Sequence, residues 1–135
     1  MTKQYLDKLT YNVLGCCINV HKEIGPGLLE SVYHKCLKAE LKHHKIKFES
    51  ELYVPVNYRD VEIETQLRAD FYIENCLVLE IKAVDGLLPI HEAQLMTYLK
   101  LLNSPKGLLV NFNSVNIFHH GQKTIVTEDF RNLPD

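Results

Sequence analysis

The chain has 135 residues, 46% of them hydrophobic and 24% charged, with 5 Pro, 6 Gly and a formal net charge of -2. That length suits one domain burying roughly 65–70% of its unfolded surface, and apolar content with balanced charge excludes intrinsic disorder. No apolar run approaches the roughly 20 residues of a bilayer span. Near-neutral charge also argues against holding nucleic acid by bulk electrostatics, while leaving room for a local phosphate site.

Met1 leads into Thr2, Lys3, Gln4, Asp7 and Lys8, which do not form a secretory leader. Cys16, Cys17, Cys36 and Cys76 make no C-x-x-C pair. They are expected to be reduced, mostly buried thiols of a cytoplasmic protein. No Cys/His pair shows zinc-ligand spacing, so no zinc site is expected.

Leu6, Leu9, Val13, Cys17, Val20 and Ile24 recur in steps of three and four, which predicts a leading helix over residues 1–24. Gly25-Pro26-Gly27 ends it. A second helix follows from about Leu28 to His43, with Leu29, Val32, Tyr33, Cys36, Leu37 and Leu41 as its apolar stripe. Lys35, Lys38, Lys42, Lys45 and Lys47, interleaved with His34, His43 and His44, lie on its other face and exit. This run is either a solvated helix face or a phosphate-facing patch.

From Phe48 the period changes to two. Leu52, Val54 and Val56 predict a half-buried strand, with Pro55 marking a free edge or bulge. A turn near Arg59-Asp60 leads into a long strand ending at Ile73, and Cys76 to Ala83 forms the next. Ala69, Phe71 and Ile73 on one strand face the same core as Leu77, Leu79 and Ile81 on the other only if Ile73 pairs with Leu77. That register leaves Glu74-Asn75-Cys76 as a three-residue loop and sets Asp70 opposite Glu80, with Lys82 further along the same face. After a loop through Pro89, Ile90 to Asn103 is a helix and residues 107–112 a buried strand. Residues 114–135 form a tail with a hairpin around His120-Gly121. The order is α+β, in one domain with a core of about residues 28–113.

Two carboxylates about 5 Å apart repel each other unless a cation lies between them. Asp70 and Glu80, with the Ile81 carbonyl, therefore suit a divalent, oxygen-loving metal. Lys82 can orient a water or stabilise charge on a phosphoryl transition state. The plainer alternative is a surface salt bridge of Lys82 with either acid. Gln94 and Tyr98 share a helix face, with His91 one turn earlier, and an amide and a phenol there can hold phosphate oxygens. Glu30 is either an ordinary helix-start acid or a ligand of a second metal or of a water.

Gly27-x-x-Glu30-x-x-Tyr33, preceded by Val20-His21 and Gly25-Pro26, resembles the signature of the GxxExxY family of small bacterial and archaeal proteins. The resemblance continues through Arg68-x-Asp70, Glu80-Ile81-Lys82, His91-Glu92-Ala93-Gln94, Tyr98-Leu99-Lys100 and Gly107 to Phe112. It implies a place in the PD-(D/E)xK nuclease superfamily, with a restriction-endonuclease-like α-β-β-β-α-β core behind an additional N-terminal helix. Asp70, Glu80 and Lys82 would be the motif residues, and Glu30 the acid on the first core helix. Gln94 and Tyr98 match the Q-x-x-x-Y motif of RecB-type members, which act on DNA ends or single strands. Ala69 stands where a larger aliphatic residue is common.

The expected protein is thus a Mg²⁺- or Mn²⁺-dependent phosphodiesterase acting on DNA, with RNA as the second substrate class. Its metal ligands would be Asp70, Glu80, Ile81 and Glu30, and Gln94, Tyr98, His91, Tyr33, Lys38 and Lys42 would meet substrate. The alternative is a catalytically inactive nucleic-acid-binding or assembly module on the same fold. A homodimer through a free edge near Pro55 or through the tail is compatible with either.

Overall fold

A computed structural model describes all 135 residues. Helix α1 spans Lys3–Ile24, opened by Thr2, whose hydroxyl accepts from the Tyr5 N–H at 3.0 Å. Its buried stripe runs through Leu6, Leu9, Val13, Cys17 and Val20 as the spacing predicts. Gly25 and Gly27, at φ of 74° and 94°, turn the chain into α2, Glu30–His43. Helix α2 buries Tyr33, Leu37 and Leu41, but Leu29 and Val32, expected in the same stripe, are exposed. The helix begins at Glu30, so Leu29 caps it from outside the periodic face.

The main sheet has the order β1-β4-β5-β6-β7, formed by Phe48–Tyr53, Arg68–Ile73, Leu77–Lys82, Lys106–Asn111 and Gln122–Val126. Only the β5–β6 pair is parallel, bridged by α3 (Pro89–Leu102). Strand β6, buried at every position, is an interior strand of the kind such a crossover covers. A cluster led by Tyr33, Leu37, Phe71, Leu79 and Val110 packs α1 and α2 on one face. A smaller one, including Ala69, Val78, Leu95 and Tyr98, packs α3 on the other. From α2 onward the main-sheet elements follow the expected helix, three strands, helix, strand.

Three expectations are corrected. The long strand up to Ile73 is broken: β2 (Val56–Tyr58) and β3 (Val61–Ile63) make a separate two-stranded hairpin. Arg59 and Asp60, at φ of 50° and 63°, close it as a left-handed tight turn. Ala69 faces the α3 cluster, whereas Phe71 and Ile73 face α1 and α2, so β4 changes faces at Asp70. The tail is no hairpin around His120-Gly121: Ile117–His120 is a helical turn, α4, and β7 pairs antiparallel with β6. A last short helix, α5, spans Glu128–Arg131.

Candidate active site

The β4–β5 hairpin keeps the expected register, Ile73 opposite Leu77. Its turn rests on the Cys76 N–H donating to the Ile73 carbonyl at 3.0 Å, with Glu74 and Asn75 left-handed. Paired backbone runs up to Phe71 opposite Leu79, and there it stops. Beyond it, side chains replace the ladder. The Asp70 N–H donates to Glu80 Oε2 at 2.6 Å, and the Ile81 N–H donates to Asp70 Oδ2 at 2.8 Å. Each acid thus holds the other's strand. A strand residue's N–H and C=O leave on the same side, so the Ile81 carbonyl also faces β4.

Glu80 is only 4% exposed. Burial, and then the Asp70 charge, push its carboxyl up to about 8. Asp70 is also raised, chiefly by burial, against the Ile81 hydrogen bond and the Lys82 charge. Lys82 follows on β5, half-buried, and makes no ion pair within 4.0 Å with any acid. The salt-bridge alternative therefore does not describe it. Two acids that share a buried site without a paired cation have the donor chemistry of a hard divalent ion, with the Ile81 carbonyl as a third oxygen.

Glu30, in the first turn of α2, is exposed and raised by desolvation and then by Asp70. It lies within the field of Asp70 and Lys82. In the metal-free chain the three carboxylates do not all lie within 4.8 Å of one another. Tyr98 is buried on α3, its hydroxyl accepting from Gln94 Nε2 at 3.4 Å. Burial, then the charges of Glu80 and Asp70, raise it, so the Gln94–Tyr98 pair borders the acids.

Other expected contacts lie elsewhere. Tyr33 is fully buried, and its hydroxyl donates to the Gly25 carbonyl at 2.6 Å and accepts from the Leu28 N–H at 3.1 Å. It ties down the loop before α2. His91 Nδ1 accepts from the Leu88 N–H at 3.0 Å, capping α3. Lys42 is exposed at the far end of α2. Lys38 sits closer, in the row Glu30, His34, Lys38, and its charge acts on His34.

Two neighbours of the site have no local motif. Glu51 lies opposite Asp70 across the β1–β4 register at φ 53°, and its charge acts on both Asp70 and His34. His34 stacks on Phe71, ring centroids 4.4 Å apart, and its Nε2 meets Ser50 Oγ at 2.8 Å. Asn111, only 4% exposed, bonds the Val84 N–H and carbonyl at 3.1 and 2.9 Å, fixing the chain just after Lys82.

A sheet between helical layers, with an aspartate and a Glu-x-Lys segment where its central hairpin splays, defines a restriction-endonuclease-like domain of the nuclease class. The profile of the PD-(D/E)XK nuclease superfamily matches residues 7–125, and the chain belongs to that superfamily. No curated protein and no solved structure matches it.

Proposed function

We propose that this protein is a divalent-metal-dependent nuclease that hydrolyses phosphodiester bonds of DNA. The observation that carries the reading is the reciprocal bonding of Asp70 and Glu80, which holds a half-buried and a buried acid together with no cation within salt-bridge distance. Membership of the superfamily supports it. Asp70, Glu80 and the Ile81 carbonyl would hold Mg²⁺ or Mn²⁺, which when bound neutralises the acids and polarises a phosphoryl oxygen.

Lys82 serves as the positioning group for the attacking water, its ammonium free because no carboxylate claims it. Gln94 and Tyr98 orient the phosphate from α3. Glu30 acts through water or a second ion. The row from His34 to Lys38 and on to Lys42 supplies backbone contacts, which reconciles a net charge of -2 with a polyanionic substrate. Gly27-x-x-Glu30-x-x-Tyr33 makes a GxxExxY-type member the finer assignment, and Gln94-x-x-x-Tyr98 makes action on DNA ends or single strands the favoured mode. Four free thiols fit a reducing, cytoplasmic setting.

The test incubates labelled single- and double-stranded DNA, and RNA, with the protein and Mg²⁺ or Mn²⁺. Cleavage should require the metal, vanish in Glu80→Ala and fall by at least about 100-fold in Lys82→Ala. Cleavage near the wild-type rate in either purified variant would sink the site assignment. Salt-sensitive retention of DNA without any cleavage, weakened by Lys38→Glu, would instead make the protein a binding module.

A further inference from the structure

Away from the acid pair, α1 and α2 pack antiparallel and bring three donors of different chemistry together. Cys16 Sγ, a Glu40 carboxylate oxygen and a His44 ring nitrogen all lie within 4.8 Å of one another. The His44 Nε2–Glu40 Oε2 separation is 2.8 Å, and the Asn19 amide donates to the same Glu40 oxygen at 3.0 Å. Cys16 is only 2% exposed, while His44 is open to solvent. The cluster stands between two clefts, of about 500 Å³ beside Cys16 and about 720 Å³ beside Glu40, with Asn19 and His44 lining both. None of these residues acts on the ionisation of Asp70 or Glu80.

We propose that Cys16, Glu40 and His44 form a zinc site, separate from the acid pair, that clasps α1 to the end of α2. Thiolate, imidazole and carboxylate are the ligand types zinc takes, and three protein ligands leave a fourth position for water, which the clefts admit. The set discriminates against Mg²⁺, which prefers oxygen donors, so the two sites sort their ions by softness. Asn19 plays the part of an outer hydrogen-bond partner that orients a ligating carboxylate.

A redox role for Cys16 does not fit. Burial and the Glu40 charge push its thiol up to about 11, so it is neither a nucleophile nor an easy target of oxidation at neutral pH. A zinc ion displaces that proton on binding. The expectation of no zinc site followed from the absence of paired Cys/His spacing. These donors come from two helices, and only Glu40-x-x-x-His44 is visible locally.

The test titrates the metal-free full chain with Co²⁺ and then competes with Zn²⁺. One equivalent should give thiolate-to-cobalt charge-transfer absorption, and Zn²⁺ should abolish it. Cys16→Ala and His44→Ala should lose the band, Asn19→Ala should weaken binding about 10–100-fold, and Cys36→Ala and Glu80→Gln should retain it. Cobalt on the acid pair has oxygen ligands only and gives no such band, so the two sites are read separately. No band in the wild-type chain overturns the proposal, as does a band that persists in His44→Ala, a surface change that leaves the core intact. In Glu80→Gln, which disables the acid pair, Zn²⁺ should also raise Tm, and it should not do so once His44→Ala is added.

Discussion

Tyr33 stacks on Phe112 with ring centroids 4.6 Å apart and planes 17° apart. The contact joins α2 to the turn that directly follows β6, where the Phe112 N–H donates to the Lys82 carbonyl at 2.8 Å, while the Tyr33 hydroxyl holds both sides of the Gly25–Leu28 loop. Tyr33→Phe keeps the stack and strands a carbonyl and an N–H, which costs about 1–3 kcal/mol. Urea unfolding should show that loss, with Mn²⁺ affinity unchanged. A large drop in Mn²⁺ affinity would return Tyr33 to the site.

The metal-free protein should lose stability as pH rises. Glu80's carboxyl goes from an ordinary value near 4.5 up to about 8 on folding, so between these values the native chain holds a proton the unfolded chain has released. The stability from this group is complete below the unfolded value and lost as pH climbs through the folded one, at no more than about 1.4 kcal/mol per pH unit. Asp70, also raised, acts in the same direction. In chelator, unfolding midpoints at pH 5, 6.5 and 8 should fall more steeply for the wild type than for Glu80→Gln. Equal slopes would remove Glu80 as the cause. Mn²⁺ should restore stability at pH 8 far more than at pH 5.

Binding and cleavage should come apart at Lys82. Because no carboxylate pairs with it, Lys82→Ala leaves the acids as ligands and should keep Mn²⁺ affinity within a few-fold, or improve it. Its cleavage rate should fall about 10²–10⁴-fold. Asp70→Asn should lose both. Calorimetric titration with Mn²⁺ beside a cleavage assay checks this, and parallel loss in Lys82→Ala would make the lysine a structural element of the ion site.

Gly107 allows α3 to lie close on β6. A Cβ there would sit 2.8 Å from Leu95 Cδ1, so Gly107→Ala should cost about 1–3 kcal/mol by overpacking. Leu95→Ala alone should cost about 2–5 kcal/mol through the cavity it leaves. Combined, they should cost clearly less than the two added, since the new methyl enters the vacated space. Strict additivity by chemical denaturation would refute the contact.

Much of the site could be read in advance because one constraint is local. Apolar alternation in two strands joined by a short loop has a single register that buries both sets, and this register sets Asp70 beside Glu80. Long helical periods gave α1 and α3 for the same reason. Glu51 escaped because its place beside Asp70 depends on β1 pairing with β4, and nothing local carries that pairing. The backbone-holding bonds of Tyr33 and of His91 Nδ1 were not legible, because a hydroxyl or an imidazole serves equally well in holding backbone and in touching substrate, and composition does not distinguish the two uses. Ala69 was assigned to the wrong face because strict alternation assumes an uninterrupted strand, and the strand changes faces at the acid whose position the pattern had located.

The left-handed residue Glu51 also bears on how the sheet meets other chains. Strand β1 is an outer strand, and such an edge offers a row of free backbone groups to any extended segment. Here the row is kinked midway and flanked by the exposed carboxylates of Glu49 and Glu51. An incoming strand would lose its ladder after two or three residues and meet negative charge as it did so. The irregularity that sets a third acid opposite Asp70 therefore also protects this margin against edge-to-edge aggregation.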